Sequence, residues 1–116
     1  MTSKTDISIA HKFSKFPAGR YLSDGSTSGQ AFRESILVPA LSKEGDVQVD
    51  LDGTEGYGSS FLEEAFGGLI RVHGFKLEDL DRRLSFKSEE DPSLLIEIQD
   101  YLTRAAALVS TKSSRS

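Results

Sequence analysis

Residues 46–52 read Asp-Val-Gln-Val-Asp-Leu-Asp, alternating polar with apolar at every step. A period of two marks a strand, because successive side chains leave the backbone on opposite sides of the pleat. Val47, Val49 and Leu51 therefore share one face, and Gln48, Asp50 and Asp52 the other. A strand covered on both sides would instead read as a continuous apolar run. This one pattern constrains the rest of the chain, which must supply helices to cover one side of a small sheet.

The remaining segments fit that demand. Ile7, Ile9, His11 and Phe13 alternate with Ser8, Ala10 and Lys12 and predict a strand, and Arg20-Tyr21-Leu22 predicts a short second one before the turn-forming Ser23-Asp24-Gly25-Ser26. A helix is expected from Thr27, whose hydroxyl would cap it while Gln30 reaches back in a capping box. Phe32, Ile36, Leu37 and Leu41 keep helical spacing, Pro39 is expected to kink or end the helix, and Gly45 closes the run. Phe61, Leu62, Ala65, Phe66, Leu69 and Ile70 form a second amphipathic stripe, ended by His73 and Gly74. Leu84 and Phe86 predict a further short strand. Asp91-Pro92 offers an N-cap and a first-turn proline to a last helix, whose apolar face is Leu94, Leu95, Ile98, Leu102, Ala105, Ala106 and Val109. The expected order is β β α β α β α in one domain over residues 7–109, with the polar ends, 1–6 and 110–116, expected to be disordered.

Composition narrows the function classes. The chain has no cysteine, which excludes thiol nucleophiles, thiolate metal sites and disulfides. A net charge of −4 argues against phosphate-backbone binding, so no nucleic-acid partner is expected. The start is polar, and no apolar run approaches the ~20 residues of a membrane span, so no membrane contact and a cytoplasmic setting are expected. With only His11 and His73, far apart in sequence, neither a metal site nor a cofactor is expected.

The motif that most invites a functional reading is Gly58-Ser59-Ser60, just where the second helical stripe begins. Ser60 and Glu63 have capping-box spacing, which gives Ser60 a structural task and leaves Ser59 as a spare hydroxyl at the positive end of a helix dipole. A phosphate added there would be stabilised, making Ser59 the candidate phosphorylation site. Ser59, Glu63, Glu64, Gly67 and Arg71 form the candidate docking surface, lying away from the stripe of Leu62, Phe66 and Leu69. Glu63 and Glu64 are expected to be solvated. Gly67-Gly68 interrupts the helix at about 1 kcal/mol per glycine, which implies either close packing against the sheet or a flat surface for a partner. Arg82-Arg83-Leu84-Ser85 has the form of a basic-directed kinase site, but Ser85 falls in a predicted strand and the pattern is read as accidental.

Asp50-Leu51-Asp52-Gly53-Thr54 resembles the nucleophile motif of haloacid-dehalogenase-type phosphatases. That resemblance implies attack by Asp50 on phosphorus, acid/base work by Asp52 and a magnesium ion between them. The chemistry also needs a doubly wound core and a later acidic motif, for which the residues after Thr54 are too few.

A second resemblance runs along nearly the whole chain. Gly19-Arg20, Ser28-Gly29, Phe32-Arg33, Pro39-Ala40-Leu41, Val49-Asp50-Leu51-Asp52-Gly53 and the block from Gly58 to Leu69 resemble the STAS-like domain family of unknown function over about residues 7–107. Such domains are similar to the STAS fold of anti-sigma-factor antagonists. The resemblance implies an α/β fold, a small mixed β-sheet with helices packed mainly on one face. It implies a non-catalytic protein–protein interaction module, switched by phosphorylation of a serine at the start of the helix after the central strand. Ser59 maps onto that serine, with Gly58 where relatives carry an aspartate. The partner it implies is an ATP-binding kinase-like regulator. A structural homo-oligomer, joined through the sheet edge or the Gly67-Gly68 face, is the remaining alternative.

Overall fold

The computed structural model of the chain describes residues 4–114, with side-chain surroundings as far as Ser110. Strands β1 (Lys4–Ser8), β2 (Asp46–Asp50) and β3 (Leu84–Lys87) form one sheet in the order β1-β2-β3. Both pairings are parallel, with Ile7 opposite Val49 and Val49 opposite Phe86. In place of the expected mixed sheet, the described strands are thus all parallel, because each is joined to the next by a helical crossover and not by a hairpin. The register gathers like with like. Ile7, Val47, Val49 and Leu84 are buried, whereas the intervening Asp6, Ser85 and Lys87 are exposed. The helices of both crossovers lie on the same side of the sheet: Phe32 packs on Phe66 and Phe66 on Phe86, which shares the face of Val49. The other face stays polar, as the alternation in β2 requires.

Several local expectations are overturned. The first strand stops at Ser8, whose hydroxyl accepts a hydrogen bond from His11 N at 3.2 Å and caps the one-turn helix α1 (Ile9–Lys12). Arg20-Tyr21-Leu22 is not a strand. Asp24 accepts from the backbone N–H groups of Arg20 and Tyr21 and closes a single 3-10 turn, Leu22–Asp24. Helix α2 spans residues 29–41, with a π-helical stretch at Arg33–Leu37 between α-helical turns. Its cap is Ser28, not Thr27: the Ser28 hydroxyl accepts from Ala31 N at 3.2 Å, and Gln30 turns outward to accept from Leu22 N at 2.9 Å. Pro39 does not end α2, which continues to Leu41; the residue four places before it, Ser35, whose carbonyl a proline cannot bond, lies inside the π-helical stretch.

Helix α3 spans residues 59–71 and repeats this design, with π-helical Glu63–Gly67 in its middle. It ends where the sequence indicates. Gly74 adopts φ +75° and donates to Ile70 O, while Phe75 N reaches back to Leu69 O at 3.1 Å. The short helix α4 (Leu77–Arg83) is not foreseen; it buries only Leu80. Arg83, at its end, donates to the carbonyls of Leu41, Lys43 and Gly45, tying α4 to the C-terminal end of α2. Helix α5 (Ser93–Ser114) begins behind Asp91, whose carboxylate accepts from Ser93 N at 3.2 Å as the expected cap. Leu94, Ile98, Leu102 and Ala105 face the core, but Leu95 does not. At the chain ends, where disorder was expected, Lys4–Asp6 belong to β1 and α5 runs to Ser114; residues 1–3 and 115–116 lie outside the described residues.

Aromatic rings join the layers. Phe13 meets Phe32 edge-on at 5.4 Å, Phe32 meets Phe66 at 6.3 Å, and Phe66 meets Phe86 of β3 at 5.0 Å. This chain of contacts fixes α2 and α3 side by side over the sheet.

Candidate functional site

The loop between β2 and α3 is held from several sides. Asp50 Oδ1 accepts from Asp52 N at 3.0 Å. Asp52 in turn accepts from Glu89 N at 3.0 Å and Glu90 N at 2.9 Å, hydrogen bonds that hold its carboxyl below the usual range. Glu90 returns the contact by accepting from Gly53 N at 2.9 Å. The Tyr57 phenol donates to Leu51 O at 2.7 Å, and burial pushes its pKa up to about 12, so it stays a donor at neutral pH. Asp52, Thr54, Tyr57, Ser88, Glu90 and Asp91 line a cleft of about 230 Å³ here. Both aspartates of the phosphatase-like motif are thus engaged in loop structure.

The loop delivers Ser59 and Ser60 to the start of α3. The N-cap is Gly58, in extended geometry, and no side chain caps the helix. Ser60 is therefore the second residue of the helix and not its cap, so the expected capping box with Glu63 does not form. The reason lies in Glu63, which is drawn to Arg20 and Arg71. Ser59 is exposed. Its side chain lies beside the phenol of Tyr101 on α5, which donates to Glu97 at 2.5 Å.

Glu63 and Glu64 do not form a solvated face. Glu64 is only 5% exposed and accepts from Arg33 Nη1 at 2.7 Å, and the same nitrogen donates to the Glu64 backbone carbonyl at 2.6 Å. Arg33, itself 2% exposed, also donates through Nε to Glu34 at 2.8 Å, and Glu34 meets His73 Nε2 at 2.6 Å. Glu63 bridges Arg20, at 2.5 Å, and Arg71. Burial raises the Glu63 pKa, but the two arginines outweigh it and hold the carboxyl below its ordinary value. His73 is thus fixed by a carboxylate on α2, beyond its expected place at the helix end.

The glycine pair serves this network. A Cβ at Gly68 would collide with the Arg33 guanidinium, 2.8 Å from its Cζ; one at Gly67 would meet Arg71 Nη1 at 2.7 Å and Glu63 Oε2 at 2.8 Å. Close approach of backbones occurs instead at Gly29, where a Cβ would strike the carbonyl oxygen of Phe61 and lie 3.1 Å from Ala65 N. Of the five candidate residues, only Ser59 is exposed; Glu63 and Arg71 are half-buried, and Glu64 and Gly67 are buried. Arg20 and Arg33 were missed as partners. The available signal was Arg33 sitting between Phe32 and Ile36 on an apolar stripe, with Glu64 likewise on the stripe of α3 four residues before Gly68.

The sheet, its one-sided helical cover and the serine at the start of α3 define a small α/β module of the STAS type. The family model of the STAS-like domain of unknown function matches residues 28–94, and the chain belongs to that family. No curated protein and no solved structure matches the chain significantly. Among the described residues, no helix is long and apolar enough to cross a membrane, and no group of three His, Asp or Glu side chains is placed to hold a metal ion.

Proposed function

We propose that the chain is a non-catalytic regulatory module of the cytoplasm that docks a protein partner around Ser59 and is switched by phosphorylation there. The observation carrying this reading is that Ser59 stands exposed at an uncapped helix start, directly after the loop of the central strand. A phosphate at that point meets the positive end of α3. It also falls beside Tyr101 and Glu97, so it changes charge and hydrogen bonding on α5 as well.

The surroundings suit docking. The segment between α1 and α2 is pinned to the β2–α3 loop by Glu55 N donating to Lys15 O at 2.8 Å, and to α3 by Arg20 and Glu63. It displays Phe16, 66% exposed, together with exposed Tyr21 and Leu22. Exposed apolar side chains on a loop pinned to the same helix as the serine are what a partner surface requires. The ion pairs of Glu63 and Glu64 fix the middle of α3 against Arg20 and Arg33. Gly67 and Glu64 belong to that support and not to the contact surface.

The partner on this reading is an ATP-binding kinase-like regulator. The test is a pull-down with and without ATP, followed by mass mapping of the recovered chain. The expected result is a retained ATP-binding protein, phosphate on Ser59, and weaker binding of Ser59→Asp than of Ser59→Ala. Equal binding by the two variants removes the switch, and magnesium-dependent phosphatase activity lost in Asp50→Asn replaces the module with an enzyme.

A further inference from the structure

β1 lies at the edge of the sheet, paired with β2 on one side and with no other described strand. A strand edge presents backbone N–H and C=O groups that can template a further strand. Beside this edge, on the helical side, runs a cleft of about 370 Å³ lined by Ile7 of β1, by Ile36, Pro39 and Ala40 of α2, and by Lys12 and Lys43. Among the described residues, no acidic side chain lines it. The two lysines stand at opposite ends of the edge: Lys43 lies just before Asp46, which pairs with Lys4 at the start of β1, and Lys12 follows the strand's other end.

We propose that this edge accepts a fourth strand from a partner protein. The segment is extended, with inward side chains that are apolar at its centre and acidic at both ends. Strand addition supplies main-chain hydrogen bonds, while alternate side chains supply the selectivity. Here the central side chains would cover Ile36, Pro39 and Ala40, and the outer ones would meet Lys43 and Lys12. Charge complementarity decides the occupant. On a chain of net charge −4, a cleft whose charged lining residues among the described ones are Lys12 and Lys43 selects an acidic segment over a second copy, whose own edge carries Lys4 as well as Asp6. The inference is independent of the reading at Ser59.

The probe is an N-acetylated nine-residue peptide alternating threonine with, in order, glutamate, valine, valine and glutamate; a twin carries lysine in place of glutamate. The readout is amide exchange across β1 in the full chain. The glutamate peptide is expected to slow exchange at Lys4–Ser8, and the lysine peptide is not. In the double variant Lys12→Glu, Lys43→Glu, binding of the glutamate peptide should weaken roughly tenfold, as two reversed surface pairs imply, and the lysine peptide should gain what the other loses. Because the swapped peptide binds the swapped protein, a failure to fold cannot imitate the result. No protection at millimolar peptide, or equal protection by both peptides, overturns the proposal. So does protection that appears without peptide and grows with protein concentration, which assigns the edge to a second copy of the chain.

Discussion

Gly68 and Gly67 are neighbours with different tasks. A Cβ at Gly68 intrudes on the middle of the Arg33 side chain, which is buried and held by Glu64 at both its carboxylate and its carbonyl. At Gly67 it meets only the flexible tips of Arg71 and Glu63, both half-exposed. Gly68→Ala is therefore expected to lose roughly 3 kcal/mol, the scale of a disrupted buried ion pair, despite its better helix propensity. Gly67→Ala should stay within about 1 kcal/mol of wild type, since the helical gain offsets the small displacement. Urea denaturation of the two variants checks this, and equal losses would contradict it. The serines divide in the same way. Ser28, fully buried and capping α2, should cost about 1–2 kcal/mol when changed to Ala, whereas Ser60→Ala, with no cap to lose, should cost less than about 0.5 kcal/mol.

At the scale of elements, α2 and α3 are fastened by charge as well as by Phe32 and Phe66. Both carry their π-helical turns where the arginine and glutamate side chains emerge, which is where a widened turn can re-aim a side chain between packed helices. The sign of the pH dependence follows. Glu63 has a folded pKa below its ordinary value of 4.5, so its contribution to stability is present at neutral pH and is lost as pH falls through the lowered value. Glu34 acts in the same direction, through His73 first and Arg33 next, against the opposing effect of burial. The wild-type denaturation midpoint should fall between about pH 5 and pH 2, and Glu63→Gln should show a shallower fall over that window. Parallel profiles would remove Glu63 from the acid response.

For the whole molecule, the consequence of two same-sided crossovers is a sheet with one dry face. Val49 is fully buried at the centre of β2, and Gln48 beside it faces the open side. Val49→Ala is expected to cost roughly 2–3 kcal/mol through lost burial and an unfilled cavity, and Gln48→Ala less than about 1 kcal/mol. Thermal denaturation of the pair measures that one-sidedness, and comparable losses would mean that the second face is covered.

Periodic information was legible in the sequence by itself. The alternation at 46–52, the stripes of α2, α3 and α5, the Gly74 terminus and the Asp91 cap all depend on neighbours within a few residues, and each corresponds to an observed element. The position of Ser59 at a helix start was legible for the same reason. Local patterns misled where two structures share one pattern: residues 9–13 alternate like a strand but make a helical turn, because the Ser8 cap and the burial of both Ile9 and Ala10 favour it. Tertiary structure alone decided the partners. Arg20, Arg33 and Glu34 lie 43, 31 and 39 positions from the acidic or histidine side chains they bind, and no local rule spans such a distance. It was this long-range pairing that turned Glu63 away from capping, buried Glu64 and gave Gly68 its purpose. A buried charge must find its counterion wherever the folded chain supplies one, and only the folded chain brings them together.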